Sequence, residues 1–244
     1  MWHMQKFIAE QSFWDLFPDA SIGILVVRDM KTADEITASD REAIVNLLRT
    51  SNAQADQYLE SNTISENSVV AIWRDAYRRF KTKKGVRCSL ESLLKRVLKG
   101  NPIGSITPSV DLYNALSLKY AFPVGGEDVD SFVGNVRLGI TEGGDAFQPI
   151  GEDTDDPTLA GELCYRDDAG AICRCFNWRD GVRTALQDDS RNAILITENL
   201  DPARRNELDT MVDEFARLLQ TYFGAEIVAR EIIDRDNPEM IIVP

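Results

Sequence analysis

The chain has 244 residues, 43% of them hydrophobic and 27% charged, with a net charge of −13 at pH 7. This composition is typical of a globular protein with a sizeable core, and no apolar run reaches the ~20 residues that a membrane-spanning helix requires. The strongly negative charge argues against a general affinity for nucleic acid over the whole surface.

The first residues, Met1-Trp2-His3, are interpreted as a residual tag ahead of a natural start at Met4. The natural chain would then contain no histidine, which excludes Ser-His triads and His-ligated metals. No signal-peptide pattern is visible, so we expect a cytoplasmic protein with reduced thiols. The cysteines match no zinc spacing, so we expect them to pack in the core and expect no metal or other cofactor. They are Cys88, Cys164, Cys173 and Cys175, and the last two alternate in a predicted strand.

Helical signals dominate the first half of the chain, after an apolar run at 22–27 that predicts a buried strand. Ser39 and Glu42 form a capping-box pattern, which predicts the start of a long helix over 39–60. Further helices are expected over 68–80 and from Ser89 to the Gly-Asn-Pro stop at 100–102. The stretch 108–134 is interpreted as a helix opened by a proline, a turn cluster at 123–128 and the start of a strand.

Strand signals dominate the second half. Strands are predicted near 133–140, 193–197, 225–233 and 240–243, with a hairpin over 159–187 that turns at 167–170. The acidic, glycine-rich segment 141–158 predicts turns or a mobile loop. One long helix is predicted from 201 to 223, ended by Gly224. The mixture lacks βαβ regularity, so we predict an α+β fold in one domain over 4–244, with a mixed or antiparallel sheet flanked by helices.

Positive charge is concentrated between residues 74 and 99, where ten cations face only two carboxylates. A local basic patch on an acidic protein can bind a polyanion at one place and repel it elsewhere. The alternative is a solvated helix face. The candidate polyanion-binding residues are Arg78, Arg79, Lys81, Lys83, Lys84 and Arg87.

Candidate functional residues are small polar groups and carboxylates near predicted turns, because no Walker, dinucleotide or Gly-x-Ser-x-Gly motif is present. Asn114 and Ser117 share a helix face, and two glycines at 125–126 would let the backbone approach a ligand. The segment 177–180 is either a stacking and clamping site or a strand-end hydrogen-bonding knot. The full candidate set is Asn114, Ser117, Gly125, Gly126, Glu127, Asp128, Glu162, Asp167, Asn177, Trp178, Arg179 and Asp180.

Several of these segments carry a resemblance to a known family. They are Tyr77-Arg78-Arg79-Phe80-Lys81, Arg87-Cys88-Ser89-Leu90-Glu91, Val110-Asp111-Leu112-Tyr113-Asn114, Phe122-Pro123-Val124-Gly125-Gly126-Glu127-Asp128, Gly161-Glu162 and Asn177-Trp178-Arg179-Asp180. From about residue 74 to residue 184, the sequence resembles the B3/B4 editing domain of the bacterial phenylalanyl-tRNA synthetase beta subunit, and most of all its freestanding branch.

The resemblance implies hydrolysis of the ester bond of a mischarged tRNA. Asn114 and Glu162 fall at family positions, and the carboxylate of Glu162 would help to select the amino acid. Where the synthetase has a histidine, this chain reads Gly125-Gly126. Water would instead be positioned by carboxylates, by backbone amides of the two glycines or by the terminal ribose hydroxyl. The basic residues between 78 and 87 would bind the tRNA backbone.

Two functions are compatible with these residues. The first is a trans-acting deacylase, whose acidic pocket would suit a cationic or strongly polar amino acid, canavanine on arginine tRNA being one such case in freestanding relatives. This substrate would be bound by Ser117, Glu127, Asp128, Asp167, Asn177, Trp178, Arg179 and Asp180. The second is a non-catalytic module that binds tRNA or a small amino compound. A structural or assembly role is a third, weaker possibility.

Overall fold

A computed structural model describes residues 4–243, and for Val243 only the backbone. The helices are α1 Gln11–Leu16, α2 Ala38–Gln54, α3 Ser68–Ala76, α4 Ser89–Leu98, α5 Pro108–Tyr120 and α6 Arg205–Phe223. The strands are β1 Gln5–Ala9, β2 Ser21–Arg28, β3 Val124–Asp128, β4 Val136–Ile140, β5 Leu163–Asp167, β6 Gly170–Arg174, β7 Arg179–Asp180, β8 Ala193–Asn199, β9 Glu226–Ile233 and β10 Glu239–Val243. The predicted α+β class is confirmed. The residual tag predicted at 1–3 lies outside the described residues.

The strands form two sheets. One has six strands in the order β10-β1-β4-β5-β6-β7, and the other has four in the order β3-β8-β2-β9. All pairs are antiparallel except β1 with β4, which is parallel. The first sheet is therefore mixed and the second antiparallel.

Strand β2 shows how the layers stack. Ile22, Ile24 and Val26 point into a core shared with the six-stranded sheet. Leu25 and Val27 point into a second core, which α2, α5 and α6 cover. Burial on both faces is why this strand has a continuous apolar sequence rather than an alternating one.

Helix α6 packs closely on the four-stranded sheet because β2 carries a glycine. A Cβ at Gly23 would lie 2.5 Å from a methyl carbon of Val212. The three layers are thus the six-stranded sheet, the four-stranded sheet and the helices α2, α5 and α6.

Helix starts differ from the predicted ones by a residue or two. Thr37, rather than Ser39, caps α2 through the amide of Asp40. Cys88 is the N-cap of α4, and Ser89 is its first helical residue. The helix predicted over 68–80 ends earlier, at Ala76.

No helix in the described part of the chain is long and apolar enough to cross a membrane.

Two local predictions are wrong. The predicted turn cluster 123–128 is largely strand β3, which pairs along its whole length with β8. The reversal lies just before it, at Ala121, which has a left-handed backbone with φ 50°. Cys173 and Cys175 do not share one strand, because β6 ends at Arg174 and Cys175 is left-handed, with φ 48°.

Candidate functional site

A cavity of about 520 Å³, counted with its open mouth, lies between the two sheets. Strands β3 and β8 form one wall, and β4, β5, β6 and β7 form the other. Apolar side chains dominate this lining, with Phe132, Val136, Ile172 and Ile196 among them. Three carboxylates also line it, those of Glu127, Asp180 and Glu198. A largely apolar cavity with a few converging polar groups is the usual form of a small-molecule site.

Glu198 is the most completely hydrogen-bonded of the three carboxylates. Tyr165 donates to it through its hydroxyl at 2.6 Å, and the Asn177 side-chain amide donates to its other oxygen at 3.3 Å. Tyr77 in turn donates to the Asn177 carbonyl oxygen at 2.9 Å. Burial raises the pKa of Glu198 to about 7, although both hydrogen bonds oppose the shift. A carboxylate with such a pKa can exchange protons near neutral pH.

Glu127 is buried with little compensation. Its side chain is 4% exposed, and its Oε2 has no hydrogen-bond partner among the described residues. Burial raises the pKa of Glu127 well above its usual range, and the negative charge of Asp180 adds to the shift. The nearest cation that acts on it, Arg183, is already held by both oxygens of Asp167, at 2.7 and 2.9 Å.

Asp180 faces Glu127 from the opposite sheet. Burial raises its pKa, with a partly opposing hydrogen bond to Cys173. No lysine or arginine of the described chain forms an ion pair with Asp180, Glu127 or Glu198. The cavity therefore concentrates acidic groups with unused capacity for a positive or hydrogen-donating ligand.

Thiol chemistry is not favoured in the cavity. Cys173 lines the wall, but burial raises the pKa of its thiol well above the usual value. The other three cysteines are also buried, and burial raises their pKa values as well. Since the thiolate is the nucleophile, burial disfavours nucleophilic chemistry at these groups.

The two glycines of β3 have different surroundings. Gly125 lines the cavity, and a Cβ there would meet no atom within 4 Å. A Cβ at Gly126 would lie 2.8 Å from Leu186, so this glycine permits close packing. The Asp128 amide donates to Thr184 on the side away from β8. Backbone alternation puts the Gly126 amide on that same side, where the bridge between Glu127 and Ala185 brings residues 184–186 alongside β3, and the Gly125 amide in the β8 ladder.

A sharp backbone turn brings Asn177 and Trp178 to the cavity. Cys175 and Phe176 are consecutive left-handed residues, with φ of 48° and 68°. Such backbone is costly for residues other than glycine and persists only where its surroundings enforce it. Phe176 is held by rings of the core, with Phe13 at 5.6 Å and Trp73 at 5.5 Å between centroids.

Glu162, predicted to line the pocket, lies elsewhere. Its carboxylate is fully buried and accepts hydrogen bonds from Arg174 at 2.6 to 3.0 Å. Arg174, itself fully buried, also bonds Asp156, which in turn pairs with Lys83. The prediction that Glu162 contacts the amino acid therefore disagrees with this geometry, because its oxygens already serve a guanidinium.

Four more predicted residues serve the fold and do not line the cavity. Ser117 donates to the Phe122 carbonyl at 2.6 Å, which closes the turn after α5. Asp128 caps the short 3-10 helix 129–131. Asp167 binds Arg183 and the Val133 amide. Asn114 is buried on α5, 9% exposed, outside the cavity lining.

The basic residues between 78 and 87 are mostly on the surface, as a binding role requires. Arg78 pairs with Asp75, and Arg79 lies over the Phe17 ring at 5.4 Å. Within the described chain, no carboxylate lies within ion-pair distance of Lys81, Lys84 or Arg87. The segment leads directly into Ser89, which lines the cavity.

The structure thus unites five predicted residues at the cavity: Gly125, Glu127, Asn177, Trp178 and Asp180. Sequence reasoning missed Glu198, Tyr165 and Ser89. For Glu198 a signal existed, since a glutamate follows the apolar run of β8 in the same alternation as Ile194 and Ile196. No group of three or more potential metal ligands is found within residues 4–243.

The chain is similar to proteins of one known family. The B3/4 domain family matches residues 72–222. An N-terminal fragment of the phenylalanyl-tRNA synthetase beta subunit from Pyrococcus horikoshii superposes with a TM-score of 0.47 at 10% identity. The superposition covers 99% of this chain and 56% of that fragment, so the chain spans about half of its length. No curated protein matches.

Proposed function

The chain belongs to the B3/4 domain family, and from that premise we propose that it is a trans-acting deacylase that hydrolyses the ester of a mischarged aminoacyl-tRNA. The substrate amino acid is cationic or strongly polar, such as canavanine on arginine tRNA. Its side chain enters the cavity between the sheets, and the tRNA lies outside against the basic segment 78–87.

The observation that carries the proposal is the buried, unpartnered oxygen Oε2 of Glu127, whose carboxylate shares the cavity with that of Asp180. A buried acidic group without a partner is costly, and a guanidinium or ammonium group would relieve that cost. An apolar side chain of the same size would leave both carboxyl groups unsatisfied. Sites that hydrogen-bond their substrate discriminate strongly against analogues that lack the bonding group.

The chemical step needs modest assistance, because an aminoacyl ester is already activated. Glu198, with a pKa of about 7, suits the role of proton acceptor for the attacking water. Tyr165 and Asn177 fix its orientation through their hydrogen bonds. The terminal ribose hydroxyl would donate a hydrogen bond to the developing oxyanion.

A panel of tRNAs charged with matched and mismatched amino acids tests the proposal. Ester loss should be fastest with a cationic or strongly polar amino acid on a non-cognate tRNA. Gly125→Ala should slow it, since the added methyl projects into the cavity without touching protein. Gly104→Ala is the matched control, because that glycine also has open space around it and lies outside the cavity. Equal loss of activity in both variants, or no hydrolysis of any substrate, would exclude the proposal.

The second candidate is a non-catalytic module that binds tRNA or an amino compound. It is favoured by Gly125 and Gly126, which stand where the resemblance places the histidine of the synthetase domain. This module would bind the same charged tRNAs without accelerating ester loss. Binding and hydrolysis measured on one panel separate the two functions.

A further inference from the structure

Four carboxylates lie within five residues of the loop that joins β4 to β5. They are Glu152, Asp153, Asp155 and Asp156, with Thr154 among them. The first three are exposed, and Asp156 is half-buried. Like charges this close repel one another, so nearby cations stabilise this acidic segment 152–156.

Both ends of the acidic segment are paired with cations from other parts of the chain. Glu152 contacts Arg179 at 2.7 Å, and Asp156 pairs with Lys83. Asp156 also contacts the buried guanidinium of Arg174 at 2.9 Å. This second contact anchors the end of the segment, because Arg174 is 0% exposed and cannot swing away.

One of the paired cations lies on the surface that a polyanion would meet. Lys83 belongs to the basic segment 78–87, in which the Lys81 amide donates to the Gly161 carbonyl oxygen at 2.9 Å. This hydrogen bond fixes the basic segment beside the end of the acidic loop. The side chains of Lys83 and Asp156 are 32% and 31% exposed, so a ligand can reach their ion pair from solvent.

We propose that the acidic segment 152–156 is an intramolecular competitor for polyanions at this surface. Its carboxylates occupy Lys83 and Arg179 in the free protein and repel phosphates that approach the neighbouring cations. Exposed ion pairs are weak, so a closely spaced row of phosphates can displace them. A ligand with few negative charges cannot, because a competitor within the same chain has a high effective concentration. That the polyanion is tRNA rests on the proposed function, whereas the ion pairs do not.

Binding of deacylated tRNA and of heparin to the full chain, measured by fluorescence anisotropy at several salt concentrations, tests the competitor. The acidic-segment variant is Glu152→Gln/Asp153→Asn/Asp155→Asn, which keeps Asp156 on Arg174. Its affinity for both polyanions should rise by at least about threefold. The slope of log affinity against log salt should steepen by about one, because Arg179 becomes available to a phosphate.

The matched control changes the net charge of the protein equally at a distance from the basic segment. It is Glu42→Gln/Glu226→Gln/Glu231→Gln, at exposed positions of α2 and β9. This control should change either affinity by less than about twofold, since exposed charges beyond a Debye length are largely screened. Equal gains in the two variants, or no gain in the acidic-segment variant, would overturn the proposal. Thermal melts verify that both variants are folded.

A double-mutant cycle supplies the second measurement. In the wild type, Arg179→Met should change polyanion affinity by less than about twofold, because Glu152 already occupies this guanidinium. In the Glu152→Gln background, the same substitution should weaken binding by about three- to fivefold, the loss expected for one exposed ionic contact. Equal effects in the two backgrounds would show that Glu152 does not compete, and the proposal would be wrong.

These measurements also separate this inference from the proposed function. If no charged tRNA is hydrolysed but the acidic-segment variant binds polyanions more tightly than the wild type, the competitor stands and the deacylase does not. If charged tRNA is hydrolysed and the variant binds like the wild type, only the competitor fails.

Discussion

Replacing Glu162 by glutamine should lower stability and leave activity nearly normal. Replacing Glu127 by glutamine should lower activity and change stability little. Both side chains are buried, with exposures of 0% and 4%. Glu162 neutralises Arg174, which is also 0% exposed. The oxygen Oε2 of Glu127 has no partner. The same substitution thus removes the partner of a buried guanidinium at one position and a poorly compensated acidic group at the other.

The magnitudes follow from these surroundings. Removing one partner of a buried ion pair typically costs about 3–5 kcal/mol. Because Asp156 would still contact Arg174 at 2.9 Å, we expect the lower end, about 3 kcal/mol, for Glu162→Gln. In a chain of this size that lowers Tm by roughly 6–12 °C. Glu127→Gln should shift Tm by less than about 4 °C, since burial raises the pKa of this carboxyl and so already disfavours the charged form that the substitution removes.

Activity should show the reverse order. Glu127→Gln should slow hydrolysis of a cationic substrate by about ten- to a hundred-fold, the loss expected for one charge-assisted contact. Glu162→Gln should retain near-normal rates below its melting temperature. Circular dichroism melts and deacylation rates on the same preparations measure both effects. If Glu162→Gln melts like the wild type but loses activity selectively, Glu162 faces the substrate and its assignment to Arg174 is wrong.

Three further predictions concern pH, charge and metal. Glu198 alone should make the free energy of unfolding fall by about 1.4 kcal/mol per pH unit between pH 5 and about 7. The reason is that the folded state keeps a proton that the unfolded state releases. Glu198→Gln should flatten this slope in urea titrations. Lys84→Glu should weaken tRNA binding and reduce its salt dependence. Arg49→Glu, an exposed control on α2, should change neither. Equal loss of tRNA binding in the two variants would refute a local patch. Chelation should leave hydrolysis intact, and loss with recovery on adding a divalent ion would contradict this.

The elements of the fold were largely predictable because their signals are local. The apolar run of β2, the turn of the β5–β6 hairpin and the glycine after α6 each act over a few residues. Strand β3 escaped prediction because its two glycines are typical of turns. One of them, Gly126, packs against Leu186 and Leu195, and no local pattern encodes that contact.

The acidic cavity was harder to predict because its carboxylates come from three distant strands, and only the tertiary pairing of β3 with β8 brings two of them together. One local signal was nevertheless available. Strand β8 is buried throughout, and its alternation turns Glu198 toward the same face as Ile194 and Ile196. A glutamate in that position is costly unless the fold supplies donors, as Tyr165 and Asn177 do. A carboxylate that continues the inward face of a buried strand, as Glu198 does, therefore indicates a polar site, whereas Glu162, which follows the loop 141–158, pairs with Arg174 instead.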